Sequence, residues 1–230
     1  MINNIIQQQI EYYRARASEY DEWFYRQGRY DRGEMFNTRW FNEVDVLKSA
    51  LRQLGKFNDI LELASGTGIW TQELLNIGNK ITAIDASQEV IEINRYKLNS
   101  PKVNYHQVNL FEWEPNREYD LVFFSFWLSH VPPELIDAFL EKIYNSVRLG
   151  GKIFAIDSRY EPTSTANNHT LKDNKDIYVS RKLNNGQEYQ IVKVFYQPEQ
   201  LQTHLIKAGF QADVKVTDNY FIYATGTKVV

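Results

Sequence analysis

The chain has 230 residues, 43% of them hydrophobic, which suits one domain with a sizeable core and a lid. Its 26 basic and 29 acidic residues leave a net charge of −3 without a block of like charge, which disfavours nucleic acid as a substrate. Cysteine is absent, so disulfides and thiolate metal sites are excluded, and the N-terminal apolar runs are too short for a signal peptide or membrane span. We therefore expect a soluble, cytoplasmic protein without a membrane partner.

The N-terminal segment, residues 1–54, is predicted to form a helical lid. Aromatic residues make up 14% of the chain, and many of them fall between positions 12 and 41. They either pack as ordinary core or line a pocket beneath the lid. Apolar residues at spacings of three and four predict an amphipathic helix over 35–54, which Gly55 can end.

From residue 55 onward, apolar runs with strand character alternate with helical patterns. Strands are predicted at 59–64, 80–87, within 103–113, at 119–127 and at 151–159. Helices are predicted at 70–78, from the capping residue Ser87 to about Leu98, and from Pro132 and Pro133 to Gly150 and Gly151. This alternation indicates βαβ units and a mostly parallel sheet with right-handed crossovers.

The pattern changes after residue 160. Residues 161–196 read as a polar loop followed by a hairpin around Asn184-Asn185-Gly186. A helix is predicted at 198–210, and two last strands, at 211–217 and 219–227, must be antiparallel because the turn between them is so short. We expect one core domain, 55–230, with a functional insertion at 161–196.

Two glycines between the first strand and the next helix predict a nucleotide-binding loop. At Gly66 and Gly68 the backbone can approach a ligand closely, and Asp85 at the end of the second strand can accept hydrogen bonds from ribose hydroxyls. Thr71 stands where a dinucleotide-binding loop has its third glycine, which makes a nicotinamide dehydrogenase the weaker interpretation. Glu62, read as a carboxylate aimed into the crevice, suits a cationic ligand such as S-adenosylmethionine better than a pyrophosphate.

The run Glu62-Leu-Ala-Ser-Gly66-Thr-Gly68 resembles the first motif, E/D-x-x-x-G-x-G, of the class I S-adenosylmethionine-dependent methyltransferases. The resemblance covers about residues 55–230. It implies an α/β, Rossmann-like fold, a seven-stranded, mostly parallel sheet with an antiparallel last strand and helices on both faces. It also implies S-adenosylmethionine as cofactor, held by Glu62, Ala64, Gly66, Gly68, Thr71, Asp85, Ala86, Asn109, Leu110, Phe111 and Ser125. The family often has Asp where this chain has Asn109, whose amide can still accept from the adenine amino group.

Methyl transfer is an in-line displacement that depends mainly on alignment. Tyr13 and Tyr20, at helical spacing with Trp23, are predicted to face the cofactor, because aromatic faces stabilise a sulfonium. His130, after the fourth strand, is the candidate general base, with a cofactor-wall or packing role as the alternative.

The residues predicted to bind the methyl acceptor are Trp23, Tyr30, Trp127, Arg159 and Tyr160. Arg159 would hold a substrate carboxylate or make a surface salt bridge. The four histidines lack metal-ligand spacing, so no metal is expected.

The main functional prediction is methyl transfer to an O or N atom of a small aromatic or apolar metabolite, by a monomer or homodimer. A protein or RNA methyltransferase is the second hypothesis. RNA is disfavoured by the balanced charge, and Ser125-Phe126-Trp127-Leu128 replaces the N/D-P-P-Y/F motif common in enzymes that modify amide or base nitrogens. The third is a non-catalytic cofactor-binding module of the same fold.

Overall fold

The computed structural model describes residues 2–169, 171 and 176–229. The helices are α1 (Ile2–Ala15), α2 (Tyr20–Phe24), α3 (Glu34–Gln53), α4 (Ile69–Leu74), α5 (Gln88–Leu98), α6 (Ile136–Ser146) and α7 (Pro198–Lys207). The strands are β1 (Phe57–Leu63), β2 (Gly78–Asp85), β3 (Val103–Gln107), β4 (Tyr119–Ser125), β5 (Val147–Ser158), β6 (Tyr178–Lys182), β7 (Glu188–Val192), β8 (Phe210–Val216) and β9 (Phe221–Lys228). Part of the predicted loop 161–176 and both ends of the chain lie outside the described residues.

The main sheet has seven strands in the order β3-β2-β1-β4-β5-β9-β8. Strands β1 to β5 pair in parallel, and β9 runs antiparallel to both β5 and β8. This confirms the predicted fold. The strand order reverses at β1, because the crossovers place β2 on one side of it and β4 on the other, which opens a crevice at its carboxyl end.

Alternate residues of the central strands pack into two different cores. Leu61 and Val122 lie in the core against α6 and α7, whereas Ile60 and Leu121 lie in the core against α3 and α4. Each strand is therefore apolar on both faces, which explains the unbroken hydrophobic runs in the sequence.

The N-terminal helices and the β6–β7 hairpin pack on one another. Tyr12 of α1 is buried with Val179 and Ile191 of the hairpin. Gln9 accepts a hydrogen bond from the Val192 N–H (3.1 Å) and donates one to the carbonyl of His130 (3.0 Å). These contacts place α1 and the hairpin over the carboxyl edge of the sheet. The boundary between a lid and a core at residue 54 stays a prediction.

Three local predictions were wrong. Helix α6 ends at Ser146 instead of at the glycines, and β5 begins at Val147 instead of at Gly151, with a register shift against β4 between the pairs Tyr119–Val147 and Leu121–Lys152. Helix α4 ends at Leu74, and Gly78 begins β2 instead of ending the helix. The helix predicted to carry Tyr13, Tyr20 and Trp23 on one face is broken between α1 and α2.

Candidate active site

The loop between β1 and α4 is held in a left-handed conformation. Ala64, Gly66 and Gly68 have φ values of 52°, 52° and 92°. A β-carbon at Gly68 would lie 2.6 Å from Oδ1 of Asn94, so glycine is required there by both backbone and packing. The loop therefore exposes its backbone groups at the carboxyl end of β1.

Asp85, at the end of β2, holds this loop together. Its Oδ2 accepts from the Gly66 N–H and its Oδ1 accepts from the Ser87 N–H, both at 2.9 Å. Burial raises the pKa of Asp85, and the N–H groups of Ser87 and Gly66 oppose that change. Each oxygen keeps a lone pair for a ligand hydroxyl.

Glu62, near the end of β1, lies beneath the loop and bonds to other residues of the protein. It is buried and accepts a hydrogen bond from the Thr71 hydroxyl (2.7 Å), and Thr71 in turn accepts from the Asn94 amide (2.9 Å). Burial raises the pKa of Glu62 to about 8. The carboxyl group thus braces the start of α4 through Thr71, and its direct contact with a cofactor stays a prediction.

A cavity at the carboxyl ends of β1, β2 and β4, here the loop cavity, contains about 710 Å³ of space that is partly open to solvent. It brings together nine of the predicted cofactor-binding residues: Tyr13, Tyr20, Ala64, Gly66, Asp85, Ala86, Asn109, Leu110 and Ser125. Its lining lacks four predicted residues, Glu62, Gly68, Thr71 and Phe111. The ring of Phe111 packs on Trp127, which does line the cavity, with the ring centroids 5.2 Å apart. The sequence missed Gln9 and Ile10, because nothing in α1 signals where it docks.

A second cavity, here the lid cavity, lies between the N-terminal helices, the residues after β5 and the β6–β7 hairpin, and contains about 620 Å³ of space that is partly open to solvent. The predicted acceptor residues Trp23 and Tyr30 line it. Arg16, Arg181 and Lys193 also line it, and its described lining contains no acidic residue. The sequence offered no signal for these cations, since they come from separate elements.

Four residues line both cavities: Tyr13, Tyr20, Phe126 and His130. Phe126 has a φ of 53°, which is strained for a bulky side chain, and its ring packs edge-on against Trp23 (4.8 Å). Such strain concentrates at functional sites. The loop cavity and the lid cavity therefore meet at a wall of three aromatic rings and one imidazole, here the junction.

His130 uses both ring nitrogens within the protein. Its Nδ1 lies 2.6 Å from the carbonyl oxygen of Val192, so this nitrogen carries the proton, and its Nε2 accepts from the Tyr13 hydroxyl at 2.6 Å. Burial, followed by the charge of Lys193, lowers the pKa of His130 well below 6.5. The imidazole is therefore neutral, and its accepting nitrogen is committed to Tyr13.

Lys193 carries a buried charge beside the junction. Its Nζ donates to the Ser129 hydroxyl (2.8 Å) and lies 3.4 Å from Oδ1 of Asp157. Asp157 also accepts from the N–H groups of Ser129 (2.8 Å) and Ser158 (2.7 Å). Burial lowers the pKa of Lys193, and Asp157 opposes that change.

The other predicted acceptor residues lie elsewhere. Trp127 lines the loop cavity instead of the lid cavity. Arg159 donates to the carbonyls of Thr217 (2.5 Å) and Asp218 (2.8 Å), so it supports the turn between β8 and β9 and lines neither cavity. Tyr160 lies outside both linings and packs on Phe195 (5.4 Å). The sequence placed these residues at the right edge of the sheet, but none of the three lines the lid cavity.

No group of three or more His, Cys, Asp or Glu side chains among the described residues could hold a metal ion. No helix among the described ranges is long and apolar enough to cross a membrane.

Similarity to known proteins decides the family. A model of the methyltransferase domain family matches residues 60–151, which contain the glycine loop and Asp85. The solved complex of DhpI with SAM and HEP is 34% identical, with a TM-score of 0.78, over 96% of this chain and 97% of DhpI. The chain belongs to the class I S-adenosylmethionine-dependent methyltransferases. It is therefore a methyltransferase enzyme with S-adenosylmethionine as its cofactor, as the motif at Glu62–Gly68 predicted.

Three further proteins or complexes are similar to this methyltransferase. The complex of DhpI with SAH is 32% identical over 97% of both chains, with a TM-score of 0.77. The malonyl-[acyl-carrier protein] O-methyltransferase 1 of Ilyobacter polytropus is 30% identical over 48% of this chain. The ubiquinone biosynthesis O-methyltransferase of Hydrogenovibrio crunogenus is 31% identical over 41% of it. The methyltransferase matches only 41% and 40% of the lengths of these two curated relatives.

Proposed function

We propose that this enzyme transfers the methyl group of S-adenosylmethionine to an oxygen atom of a small molecule, with the cofactor in the loop cavity and the acceptor in the lid cavity. The observation that carries the proposal is the junction of the two cavities at Tyr13, Tyr20, Phe126 and His130. Two ligands that meet at one wall can be aligned for in-line transfer, and alignment supplies much of the rate enhancement in such reactions.

The residues of the loop cavity fit this cofactor. Asp85 would accept hydrogen bonds from the ribose hydroxyls, and Asn109 and Leu110 would lie beside the adenine. Tyr13 and Tyr20 would present aromatic faces to the positive sulfur. When bound, S-adenosylmethionine supplies an electrophilic methyl group.

The shape of the lid cavity favours a small acceptor. Helices α1 and α2 and the β6–β7 hairpin cover it, so a folded protein or an RNA duplex would have to displace them. A non-catalytic module would have no use for a second cavity that joins the first. The oxygen acceptor is supported by the two curated relatives, whose names describe O-methyltransferases. DhpI likewise binds HEP together with SAM.

The proposed acceptor and the proposed role of His130 both differ from the predictions made from the sequence. The cationic side chains in the lid cavity do not suit a flat or apolar acceptor. His130 would act as a positioning residue that orients Tyr13, because its protonated nitrogen faces a carbonyl and its other nitrogen is already bonded. A general base needs an accepting atom within reach of the substrate proton.

The test follows a labelled methyl group. Wild-type enzyme is incubated with methyl-labelled S-adenosylmethionine and a cell extract that is separated afterwards into small molecules, protein and RNA. We expect label in the small-molecule fraction as a methyl ester or ether, transfer that falls sharply in Asp85→Ala, and unchanged transfer in the exposed variant Asp213→Ala. Label found in protein or RNA would reject the proposal.

A further inference from the structure

Arg16 carries a buried charge that no carboxylate neutralises within the described residues. It is 8% exposed and lies immediately after α1. Its Nη2 donates to the Tyr30 hydroxyl (3.2 Å), while its Nε has no hydrogen-bond partner in the described structure. Its guanidinium lies over the ring of Tyr20, 5.1 Å from the centroid. The tyrosines hold the guanidinium in place and leave its charge available to the lid cavity.

Arg181 approaches the same cavity from the opposite side. It lies on β6, is half-buried, and lines the lid cavity. Burial lowers its pKa, and the groups that raise it again are the tyrosines Tyr12, Tyr13 and Tyr30. In the part of the chain that the structure describes, no carboxylate pairs with its guanidinium.

The charges around the lid cavity do not balance. Lys193 is the third cation of the lining, and Asp157 is its acidic neighbour. The two histidines of the lining add no charge near neutral pH, because the pKa of His130 is lowered well below 6.5 and that of His169 is lowered to about 4, mainly by burial. Among the described residues of the lining and their ion-pair partners, three cations against one carboxylate leave an excess of two positive charges.

An excess of buried positive charge costs free energy unless a ligand neutralises it. A buried ion that lacks a partner costs several kcal/mol. A guanidinium offers a fork of donors that matches the oxygens of a carboxylate or phosphoryl group. We propose that the methyl acceptor is a small dianion with carboxylate or phosphoryl oxygens, held in the lid cavity by Arg16, Arg181 and Lys193. This inference rests on the proposed function, which assigns the lid cavity to the acceptor.

An anionic acceptor also explains why the junction holds no available base. An oxyanion has a lone pair ready for attack: its oxygen forms the new O–C bond while the C–S bond breaks and the electron pair of that bond stays on sulfur. The acceptor loses one negative charge, the sulfonium loses its positive charge, and no proton moves. His130 can therefore remain neutral and bonded to Tyr13 throughout the transfer.

The first experiment measures anion binding by calorimetry on wild-type enzyme saturated with S-adenosylhomocysteine. The probes are inorganic phosphate, malonate and the uncharged dimethyl malonate. We expect phosphate or malonate to bind and dimethyl malonate to give no heat. Stronger binding of phosphate would indicate a phosphoryl acceptor, and stronger binding of malonate a dicarboxylate.

Matched variants of two neighbouring residues on β6 then locate the site. Arg181 lines the cavity, whereas Lys182 is exposed and pairs with Glu188 (3.6 Å) on the hairpin surface. Arg181→Gln should weaken the binding of the dianion about tenfold or more, which is the loss expected when a charge-assisted hydrogen bond is removed. Lys182→Gln should leave it unchanged.

The outcomes separate this inference from the proposed function. If neither dianion binds, or if dimethyl malonate binds as well as malonate, the anionic acceptor is rejected. The proposed function survives that result if label still reaches an uncharged small molecule. If label reaches only protein or RNA, the proposed function fails whatever the probes do. Should Arg181→Gln not fold, the wild-type comparison of charged and uncharged probes still decides the question.

Discussion

Replacement of Asp85 by alanine should weaken cofactor binding more than any single change elsewhere in the loop cavity. The carboxylate is fixed by the N–H groups of Gly66 and Ser87, both 2.9 Å away, so it meets the ligand without reorganisation. Asp85→Ala removes the acceptor for the ribose and loosens the loop at the same time.

The expected magnitude follows from these hydrogen bonds. A hydrogen bond to a charged group contributes about 1.5–3 kcal/mol. Loss of one such bond corresponds to at least about tenfold in Kd, and loss of both ribose contacts to about a hundredfold or more. Water that enters the space left by the carboxylate reduces the loss of affinity towards about tenfold.

The assay is calorimetry with S-adenosylhomocysteine, with thermal unfolding measured on the same samples. Asp213→Ala is the control, because Asp213 pairs with Lys215 on the exposed part of β8. His130→Ala should have a smaller effect, since His130 contacts only the junction. The ribose assignment would be refuted if a folded Asp85→Ala variant bound S-adenosylhomocysteine as tightly as wild type.

Three further predictions test the supports of the site. Glu62→Gln should keep S-adenosylhomocysteine binding within about threefold, because a mostly protonated acid bonded to Thr71 is replaced by a neutral amide; a loss above tenfold in calorimetry would mean that Glu62 acts as a carboxylate. Gly68→Ala should lower the free energy of unfolding in urea by about 1–3 kcal/mol more than Gly150→Ala, because both glycines have positive φ but only Gly68 faces a side chain, that of Asn94; equal losses would contradict this. His130 is neutral in the folded state with a lowered pKa, so the unfolded chain takes up its proton first as pH falls below 6.5, and the stability contributed above that pH is lost. His130→Asn should therefore make the acid-side decline in unfolding free energy shallower by up to about 1.4 kcal/mol per pH unit, and an unchanged slope would show that the histidine does not titrate this way.

Local sequence patterns were sufficient to predict the sheet and the cofactor loop. The strands from β1 to β5 and the antiparallel pair β8–β9 follow from apolar runs and a short turn, which act over a few residues. The loop at Gly66 and Gly68 and the acid Asp85 lie at the ends of neighbouring parallel strands, so their meeting follows from topology alone.

The acceptor side of the site was decided only by tertiary packing. Tyr13 and His130 meet across 117 positions of sequence, and Arg16 reaches the lid cavity because α1 docks on β7. No periodicity encodes such docking. The electrostatic state of the site also depends on it, because the burial that keeps Glu62 protonated and His130 neutral exists only once the helices have closed over the sheet. Sequence patterns were enough to predict the fold and the cofactor, whereas the charge of the lid cavity arises from side chains on separate elements that only the folded chain brings together.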